Sequence, residues 1–412
     1  MNKNPGKLGL TETRIASRRF RVLDSPEAKP LNGGTPKLQL EAITAREDFA
    51  QLEDEWDTFL AKTQAPSPFT SWDYLDVWWD IYGGKGFNPR LYIARDPQGM
   101  LIGAAPLMIS QKGSFAGARS NFRHLSLMGG LAGFAGESLE LPARRGYETA
   151  LGEATADLIL DSFSGQWDVL YLFLVPHDSR STNAMIKRLA RAGVAVKTVS
   201  STASPILPIT ASWNQYIQTQ TINDREEIGR VFSDAVNGHD LELLRVGKEI
   251  SLEAAYEETI RLTNLHGAND QNRIFQTSEM VDFHWKLAPR LLERDRLFFG
   301  LVKMDGQFTG SVYNLIDNQK MWTYQTIWDP RFNGSNVELL LNTWSDKSAH
   351  DLGLHEIDYL PGESGRRADQ ARYARTLNIY EATRPRSMGE ALFSFACGLD
   401  RLLQKKTNPS SV

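Results

Sequence analysis

The sequence predicts an α/β protein with mixed sheets, in which one unit of helices and strands occurs twice. Two segments, 91–109 and 299–316, alternate apolar and polar residues around a Pro-Gln-Gly or Asp-Gly turn, which is typical of a β-hairpin. The elements around both hairpins follow one order, helix–hairpin–strand–helix–strand–helix–strand, at an offset of about 207 residues. A Ser/Thr/Pro stretch at 200–206 separates the copies and is typical of a linker. Each copy is expected to combine antiparallel strands with a later parallel, helix-linked pair.

Length and composition support two soluble globular domains. The chain has 412 residues, of which 41% are hydrophobic and 23% charged. A net charge of −4 provides no basic field for nucleic acid, so no nucleic-acid partner is expected. The one cysteine, Cys397, excludes a disulfide framework and a cysteine-rich metal site, and its apolar surroundings favour a buried structural thiol.

The domain boundaries follow from the repeat and from composition. We predict a disordered N-terminal tail at 1–37, domains at 38–200 and 207–405, and a disordered tail at 406–412. The sequence has no apolar run of 18 residues and no apolar core of a secretory signal, so we expect a cytoplasmic protein without a transmembrane segment. Arginines in the first tail are compatible with peripheral association with a membrane.

Periodicity places the individual elements. Trp72, Leu75 and Trp79 form one face of a helix before the first hairpin, and Phe283, Leu287 and Leu291 form one before the second. Further predicted elements, in chain order, are a strand near 124–128, a helix near 147–163, strands at 167–175 and 194–199, a strand at 320–328, a helix at 336–352, a strand at 355–360, and helices near 367–375 and 388–404 flanking a strand at 377–382.

Aromatic residues crowd the first half, where they either pack a core or line a groove for a sugar or acyl group. Because aromatic helix faces usually pack inside a domain, we favour the core. The residues concerned are Trp56, Phe69, Trp72, Trp78 and Trp79.

The strand–loop–helix at 320–352 is the strongest candidate for a binding site. A loop that opens a helix presents unpaired amides and a favourable dipole to an anion. Arg331 adds a guanidinium, and Gly334 lacks the Cβ that would block close approach. The alternative is an ordinary strand-to-helix turn in which Asn336 caps the helix.

Acidic residues at the end of the following strand are candidates for proton transfer. Asp358 or Glu363, beside Gly362, would take a proton from a substrate ammonium group, and Tyr373 would return one to a leaving thiolate. The alternative is that Asp358 pairs locally and Glu363 is solvated.

Other patterns carry less chemistry. His266 and His284 lie in predicted helices and are expected to be structural. No HExxH or paired Cys/His spacing predicts a metal, and no GxSxG predicts a hydrolase nucleophile. The glycines of 128–137 are expected to form a flexible loop.

Several segments of the sequence resemble a known protein family. The segments PSPFTSWDYLDVWW, IGAAPLMI, LSLMGG, WDVLYLFLVP, TIWDPRF and IDYLPGE occur in the order of a subgroup of the GNAT superfamily. That subgroup is known as BioF- or CelD-like acetyltransferases, sometimes called cellulose-biosynthesis proteins. It looks like a distant relative of the Fem-type aminoacyl transferases, which have two GNAT-like halves. The resemblance covers about 50–400.

The resemblance implies tandem GNAT-like domains that transfer an acetyl or longer acyl group from acyl-CoA to an amine or hydroxyl acceptor, without a metal. By position, the strand residues would bind the thioester carbonyl and amides of 331–337 would bind the pyrophosphate. The implied cofactor-binding residues are Thr326, Ile327, Trp328, Arg331, Asn333, Gly334, Ser335, Asn336 and Val337, and the implied catalytic residues are Asp358, Glu363 and Tyr373.

Three alternatives for function stay open. The first is an acyl-CoA-dependent transferase of envelope polysaccharide metabolism, such as cellulose or exopolysaccharide synthesis. The second is a Fem-type transferase that uses aminoacyl-tRNA, and the third is a non-catalytic GNAT scaffold in polysaccharide assembly. Departures from the family pattern bear on this choice: Asn336 replaces the last small residue of the phosphate loop, and Tyr373-Ala374-Arg375 replaces a Tyr/Phe-Lys pair. The segment after Tyr216 also lacks the usual arginine-rich run.

Overall fold

The computed structural model describes residues 37–64, 66–111, 122–130, 136–238, 240–265, 275, 277–362 and 366–384, and they divide into two compact units. The N-unit comprises 37–202 and 376–384, and the C-unit comprises 203–375. The predicted tails, except Lys37, the predicted helix 388–404 and Cys397 lie outside the described residues.

The N-unit contains a six-stranded mixed sheet with the order β1-β2-β3-β4-β5-β12. Neighbours are antiparallel except β4 and β5, which are parallel. The elements are β1 (Glu41–Ile43), α1 (Arg46–Ala50), α2 (Glu53–Leu60), α3 (Trp72–Tyr82), β2 (Phe87–Arg95), β3 (Leu101–Ser110), β4 (His124–Leu127), α4 (Glu148–Asp161), β5 (Val169–Pro176), α5 (Arg180–Arg191) and the first part of β6 (Lys197–Pro208).

The C-unit repeats this arrangement, with the strand order β6-β11-β10-β9-β8-β7 and one parallel pair, β10 and β11. Its elements are the end of β6, α6 (Trp213–Gln218), α7 (Ile222–Gly238), β7 (Leu241–Arg245), α8 (Leu252–Leu265), α9 (Ser278–Glu293), β8 (Leu297–Met304), β9 (Gln307–Asp317), β10 (Lys320–Trp328), a 3-10 turn (Pro330–Ser335), α10 (Val337–Asp351), β11 (Glu356–Asp358), α11 (Arg366–Gln370) and the first part of β12 (Tyr373–Thr383).

The last strand of each half of the sequence belongs to the sheet of the other half. Strand β12, near the C-terminus, pairs with β5 of the N-unit, with Leu377 opposite Pro176. Strand β6, at the end of the first half, pairs with β11 of the C-unit, with Leu207 opposite Ile357. The predicted domain 207–405 therefore includes residues that the structure groups with the N-unit, because β12 crosses from one unit to the other at Arg375.

The predicted boundary near 200–206 agrees with the division between the units, but these residues lie inside the twelve-residue strand β6 and not in a linker. The Ser/Thr/Pro composition was the reason for the prediction, and proline cannot donate to a sheet ladder. Pro205 still takes part in the ladder through its carbonyl, which accepts the hydrogen bond from the Tyr359 amide at 2.9 Å. The division between the units falls within this strand, after Thr202.

Both predicted hairpins are confirmed as β2–β3 and β8–β9. Asp305 and Gly306, at the tip of the second hairpin, have φ angles of 50° and 77°. Positive φ at both central residues gives the turn whose twist matches the flanking strands, and Asp-Gly is a preferred sequence for it.

One glycine in the second strand of each hairpin lets the next long helix approach the sheet. A Cβ on Gly103 would lie 3.0 Å from Leu151 of α4, and a Cβ on Gly310 would lie 2.6 Å from Leu341 of α10. The glycines that recur in the sequence thus set the helix-to-sheet distance in both units.

The aromatic residues of the first half form a core, as predicted. Trp56, Phe69 and Trp78 are fully buried, and Trp72 nearly so. The ring of Phe49 stacks with Trp79 at a centroid distance of 6.1 Å, which adds the fifth predicted residue to the cluster. Within the described ranges, no helix has the length and apolar character needed to cross a membrane.

Candidate active site at the fork between β10 and β11

The two parallel strands of the C-unit separate after three residues and form a fork. Their pairing covers Lys320 to Trp322 opposite Glu356 to Asp358. Strand β11 ends there, whereas β10 runs on to Trp328 with β9 as its partner. In α/β sheets, ligands bind where neighbouring connections diverge beyond the carboxyl ends of the strands, which is the position of this fork.

The backbone of β10 alternates between β9 and the fork. The Asp329 amide donates to Thr309 of β9 at 2.8 Å, so the peptide groups of Trp328 and Thr326 point to the fork side. A bulge between Trp322 and Gln325 shifts the register with β9 and changes the direction of the strand beyond it. Three of the predicted carbonyl-binding residues, Thr326, Ile327 and Trp328, lie here, and Ile327 is the one whose backbone faces β9.

The N-terminus of α10 lies directly after β10 and the 3-10 turn. Asn336 occupies the N-cap position with a left-handed φ of 52°, and its side chain makes no capping hydrogen bond. The first amides of a helix have no partner within the helix, so those around Val337 are suited to an anion. The Thr326 hydroxyl donates to Asn342 of α10 at 3.2 Å, which joins the strand to the helix.

The arginine predicted to bind phosphate, Arg331, forms an ion pair with Asp329. The Arg331 guanidinium donates to both Asp329 carboxylate oxygens, the shortest contact being 2.6 Å, and the Arg331 amide donates to the same carboxylate at 3.0 Å. This guanidinium lowers the pKa of Asp329 below its usual value. The Phe332 amide donates to the Asp329 carbonyl at 3.0 Å. Two of the loop amides are therefore used within the loop, and the side chains of 333–335 lie outside the described residues.

Asp358 is fully buried at the point where the strands part. One carboxylate oxygen accepts hydrogen bonds from the Ser204 hydroxyl and, at 3.0 Å, from the Leu360 amide. The other accepts from Arg375 at 2.9 Å, and Arg375 lies over the ring of Trp322 at 5.6 Å. Burial raises the pKa of Asp358 even though Arg375 and the hydrogen bonds oppose this effect. This geometry favours the local pairing that was the alternative to a role as base.

A second carboxylate, Glu356, lies two residues earlier on β11. It contacts the Lys320 ammonium group at 2.5 Å and accepts a hydrogen bond from the Tyr373 hydroxyl at 2.8 Å. Burial alone would raise the pKa of Glu356, but Lys320, Tyr373 and Arg375 outweigh burial and lower it. Burial, and then the neighbouring Glu356, raise the pKa of Tyr373, so its hydroxyl keeps its proton at neutral pH.

The structure thus brings Asp358 and Tyr373 together through residues that sequence reasoning did not select. Arg375 contacts both carboxylates, with Glu356 at 3.9 Å, and Lys320 and Ser204 complete the cluster. Ser204 was assigned to a linker, and Arg375 was noted only as a departure from the family pattern. The alternation in Glu356–Asp358 and in Tyr373–Arg375 was the available pattern, because alternate residues of a strand lie on one face of the sheet.

The remaining candidates are structural or undescribed. Glu363 and His266 lie outside the described residues, as does part of the glycine segment, 131–135. His284 is buried among aromatic rings, with Phe283 at 5.0 Å, and burial lowers its pKa to about 3, so it is neutral. In the part of the chain that the structure describes, no three His, Cys, Asp or Glu side chains gather as a metal site.

Residues 225–391, which include the fork and α10, match the family of the acetyltransferase (GNAT) domain. The chain contains a GNAT domain. The resemblance inferred from sequence is thereby confirmed at the level of the superfamily, as is the tandem GNAT-like fold, since both units share one topology.

Solved structures agree with this fold. The crystal structure of FemX is 11% identical, covers 87% of this chain and 99% of its own, and superposes with a TM-score of 0.55. A conserved protein of unknown function from Bacteroides thetaiotaomicron VPI-5482 is 11% identical, covers 84% of this chain and 100% of its own, with a TM-score of 0.51. No curated protein matches the sequence.

Proposed function

We propose that this protein is an acyltransferase that moves an acetyl or longer acyl group from acyl-CoA to an amine, or a hydroxyl, of an acceptor. One observation carries the proposal: the fork between β10 and β11 opens beside the N-terminus of α10. The fork offers a backbone edge for a thioester, and the helix offers amides for a pyrophosphate. The GNAT match over the same residues supports this choice of donor.

The reaction needs few catalytic groups. The acceptor nitrogen attacks the thioester carbon, a C–N bond forms, and the carbonyl oxygen becomes an oxyanion that a backbone N–H can stabilise. The Thr326 amide is our choice for that donor, because alternation directs it to the fork. Collapse of the tetrahedral intermediate breaks the C–S bond and releases the CoA thiolate, while the acceptor nitrogen loses a proton. Holding the two reactants together supplies much of the rate.

Tyr373 is the proposed proton donor to the thiolate, and Glu363 is the proposed acceptor of the proton from the amine. The Tyr373 hydroxyl now donates to Glu356, so it has to turn towards the fork to deliver its proton. Asp358 is assigned a positioning role instead, since its ion pair with Arg375 fixes the strands where they part.

Binding of the donor is tested by isothermal titration with CoA, acetyl-CoA and a medium-chain acyl-CoA. We expect the wild-type protein to bind with micromolar affinity. Gly334→Trp should abolish binding, because the indole fills the loop, and Arg331→Ala should weaken it. Gly229→Trp is the matched control, since it makes the same exchange on α7 at a glycine whose Cβ would meet nothing within 4 Å. Equal binding by all variants would remove the loop from the proposal.

Catalysis is tested by following the release of free CoA thiol with a panel of amine, amino-sugar and hydroxyl acceptors. Tyr373→Phe is expected to lower kcat by about 100-fold with little change in KM, as removal of a general acid does. An unchanged kcat would exclude Tyr373 as the donor. A parallel filter-binding measurement with aminoacyl-tRNA distinguishes the Fem-type donor.

The specific pairing of Arg331 favours a second candidate, a non-catalytic GNAT scaffold. With its guanidinium and amide both engaged by Asp329, the loop presents fewer donors to a phosphate. Failure of CoA, both thioesters and aminoacyl-tRNA to bind would select this candidate. For either candidate, a saccharide partner in envelope polysaccharide metabolism is proposed from the sequence resemblance alone.

A further inference from the structure

A groove of about 530 Å³ lies in the C-unit between α6, α7 and α10, on a part of α10 remote from the fork. Lys347 of α10 lines it, ten residues after Val337, where the helix begins. A rise of 1.5 Å per residue places the groove about 15 Å along the helix from the amides at its N-terminus. Its volume falls within the range of small-molecule sites. The proposed acyl transfer does not use it.

The groove is lined by one aromatic ring, Trp213, which its neighbours hold in place. Trp213 of α6 packs at 5.4 Å against Tyr216 and meets the ring of His350 edge-on, also at 5.4 Å. His350 is fixed by a 3.0 Å contact between its Nδ1 and the Ala211 carbonyl. Ile228 of α7 is buried and continues the apolar lining. Because its neighbours hold the indole, a flat ring could stack on it at little cost in side-chain entropy.

Two of the residues that line the groove are cationic, Arg225 and Lys347. Arg225 of α7 is exposed, and within the described part of the chain its guanidinium forms no ion pair. Lys347 shares its charge with Asp351, four residues later on α10. None of the residues lining the groove is acidic. A planar guanidinium is suited to a carboxylate or phosphate, to which it can donate two parallel hydrogen bonds.

Gly229, one turn after Arg225 on α7, leaves open space in the lining of the groove. A Cβ on this residue would meet nothing within 4 Å, although the residue lies inside a helix. Glycine lowers helix stability relative to other residues, and here no backbone contact requires it. Its effect is to leave space next to Trp213 and Arg225.

We infer that this groove binds a small molecule in which a carboxylate or phosphate is attached to a flat apolar ring. The ring stacks on Trp213 over Gly229, and the anionic group lies against Arg225 and Lys347. Such a molecule is a ligand distinct from the acyl donor, bound at the other end of α10.

The probe for the test is 8-anilinonaphthalene-1-sulfonate, which is an anion on a flat ring, titrated into the full chain by fluorescence. We expect one site that Gly229→Trp removes and that Arg225→Gln weakens by about tenfold, the effect of losing a charged hydrogen bond. The controls are Gly334→Trp, which makes the same exchange in the phosphate loop, and Arg230→Gln, which removes an exposed arginine of α7 outside the groove. Both should retain the wild-type affinity.

Displacement of the probe then identifies the anion. Displacement by salicylate or by AMP, but not by phenol or adenosine, supports the inference and distinguishes a carboxylate ligand from a phosphate ligand. Equal displacement by the neutral rings would overturn it, as would probe binding that Gly229→Trp leaves unchanged. CoA titration of the same Gly229→Trp protein keeps the two proposals apart, because loss of the groove should leave CoA binding intact.

Discussion

Arg375 is the residue that holds the fork together. It pairs with the buried Asp358 at 2.9 Å and lies on the ring of Trp322, which faces Asp358 across the strand pair. Removing one partner of a buried ion pair leaves the other charge without compensation, which is more costly than the pair is worth. The fork therefore depends on a side chain that lies on the next strand of the sequence.

Replacement of Arg375 by Met should lower the free energy of unfolding by about 3 kcal/mol. The loss should be larger at pH 8 than at pH 5. Burial has already raised the pKa of Asp358, and loss of the guanidinium raises it further. A carboxyl whose folded pKa is raised favours the folded state at low pH, and this contribution is lost as the pH rises through the folded pKa. Urea denaturation at the two pH values measures the difference.

The control is the double variant Arg375→Met with Asp358→Asn, which removes the buried charge together with its partner. It should recover part of the lost stability at pH 8 and show little dependence on pH. An Arg375→Met variant with equal loss at both pH values would show that Asp358 is not the group responsible.

Glu356 should make the protein sensitive to acid. Lys320, Tyr373 and Arg375 lower its pKa, so its contribution to stability is present above the unfolded pKa and is lost as the pH falls through the folded value. Glu356→Gln should cost about 1.5–3 kcal/mol at pH 7, the range for hydrogen bonds to charged groups. It should also flatten the fall in stability between pH 5 and pH 3. A variant that loses stability with acid as steeply as the wild type would contradict this assignment.

At the scale of elements, the packing of α10 against the sheet depends on glycines in the strands. A Cβ on Gly300 would lie 2.4 Å from the Trp344 ring, and a Cβ on Gly310 would lie 2.9 Å from Val337. Because the indole is rigid and packed, the helix would have to move away from the sheet. Such a movement would displace the amides at its N-terminus from the fork.

Gly300→Ala should therefore destabilise the protein by about 1–3 kcal/mol, the usual cost of overpacking. It should also weaken CoA binding if the proposed function holds. The second-site variant Trp344→Leu should restore stability in the Gly300→Ala background, because it makes room for the methyl group. Gly229→Ala, at a helix position with open space, should instead be neutral or stabilising. Thermal unfolding ranks the four proteins.

Most elements could be predicted from sequence because their causes are local. Alternation identified β2–β3 and β8–β9, and the spacing of Val337, Leu340 and Leu341 identified α10 within one residue at each end. The exchange of β6 and β12 could not be predicted, since strand pairing between distant segments leaves no local pattern. Proline and serine in β6 indicated a loop instead.

The candidate site was predicted only in outline. The sequence placed the loop and Asp358 near one another through the rule that parallel strands end at one edge. It could not place Tyr373. It did not reveal that Asp329 holds Arg331, or that Arg375 holds Asp358, because both contacts depend on the directions of side chains in the folded sheet.

At the scale of the whole molecule, neither half of the sequence contains a complete unit. The N-unit lacks β12 without residues 376–383, and the C-unit lacks the end of β6 without residues 203–208. Without these strands, β5 and β11 are left with unpaired backbone groups, which promotes aggregation.

A fragment of residues 1–208 should therefore fail to fold alone. Circular dichroism and size-exclusion chromatography should show an aggregated or expanded chain, and co-expression with 209–412 should restore a folded complex. Independent folding of 1–208 as a monomer with cooperative unfolding would show that β12 is dispensable for the N-unit.

The exchanged strand also sets an order of events during synthesis. Although the N-unit is begun first, its last strand leaves the ribosome only after residues 203–375 have been made. At 5–20 residues per second, β5 is without its neighbouring strand β12 for about 10–35 s. During that time a newly made, largely apolar sheet is exposed in a crowded cell. The protein should thus depend on chaperones that bind nascent chains, and synonymous codons that speed translation of the second half should raise its soluble yield.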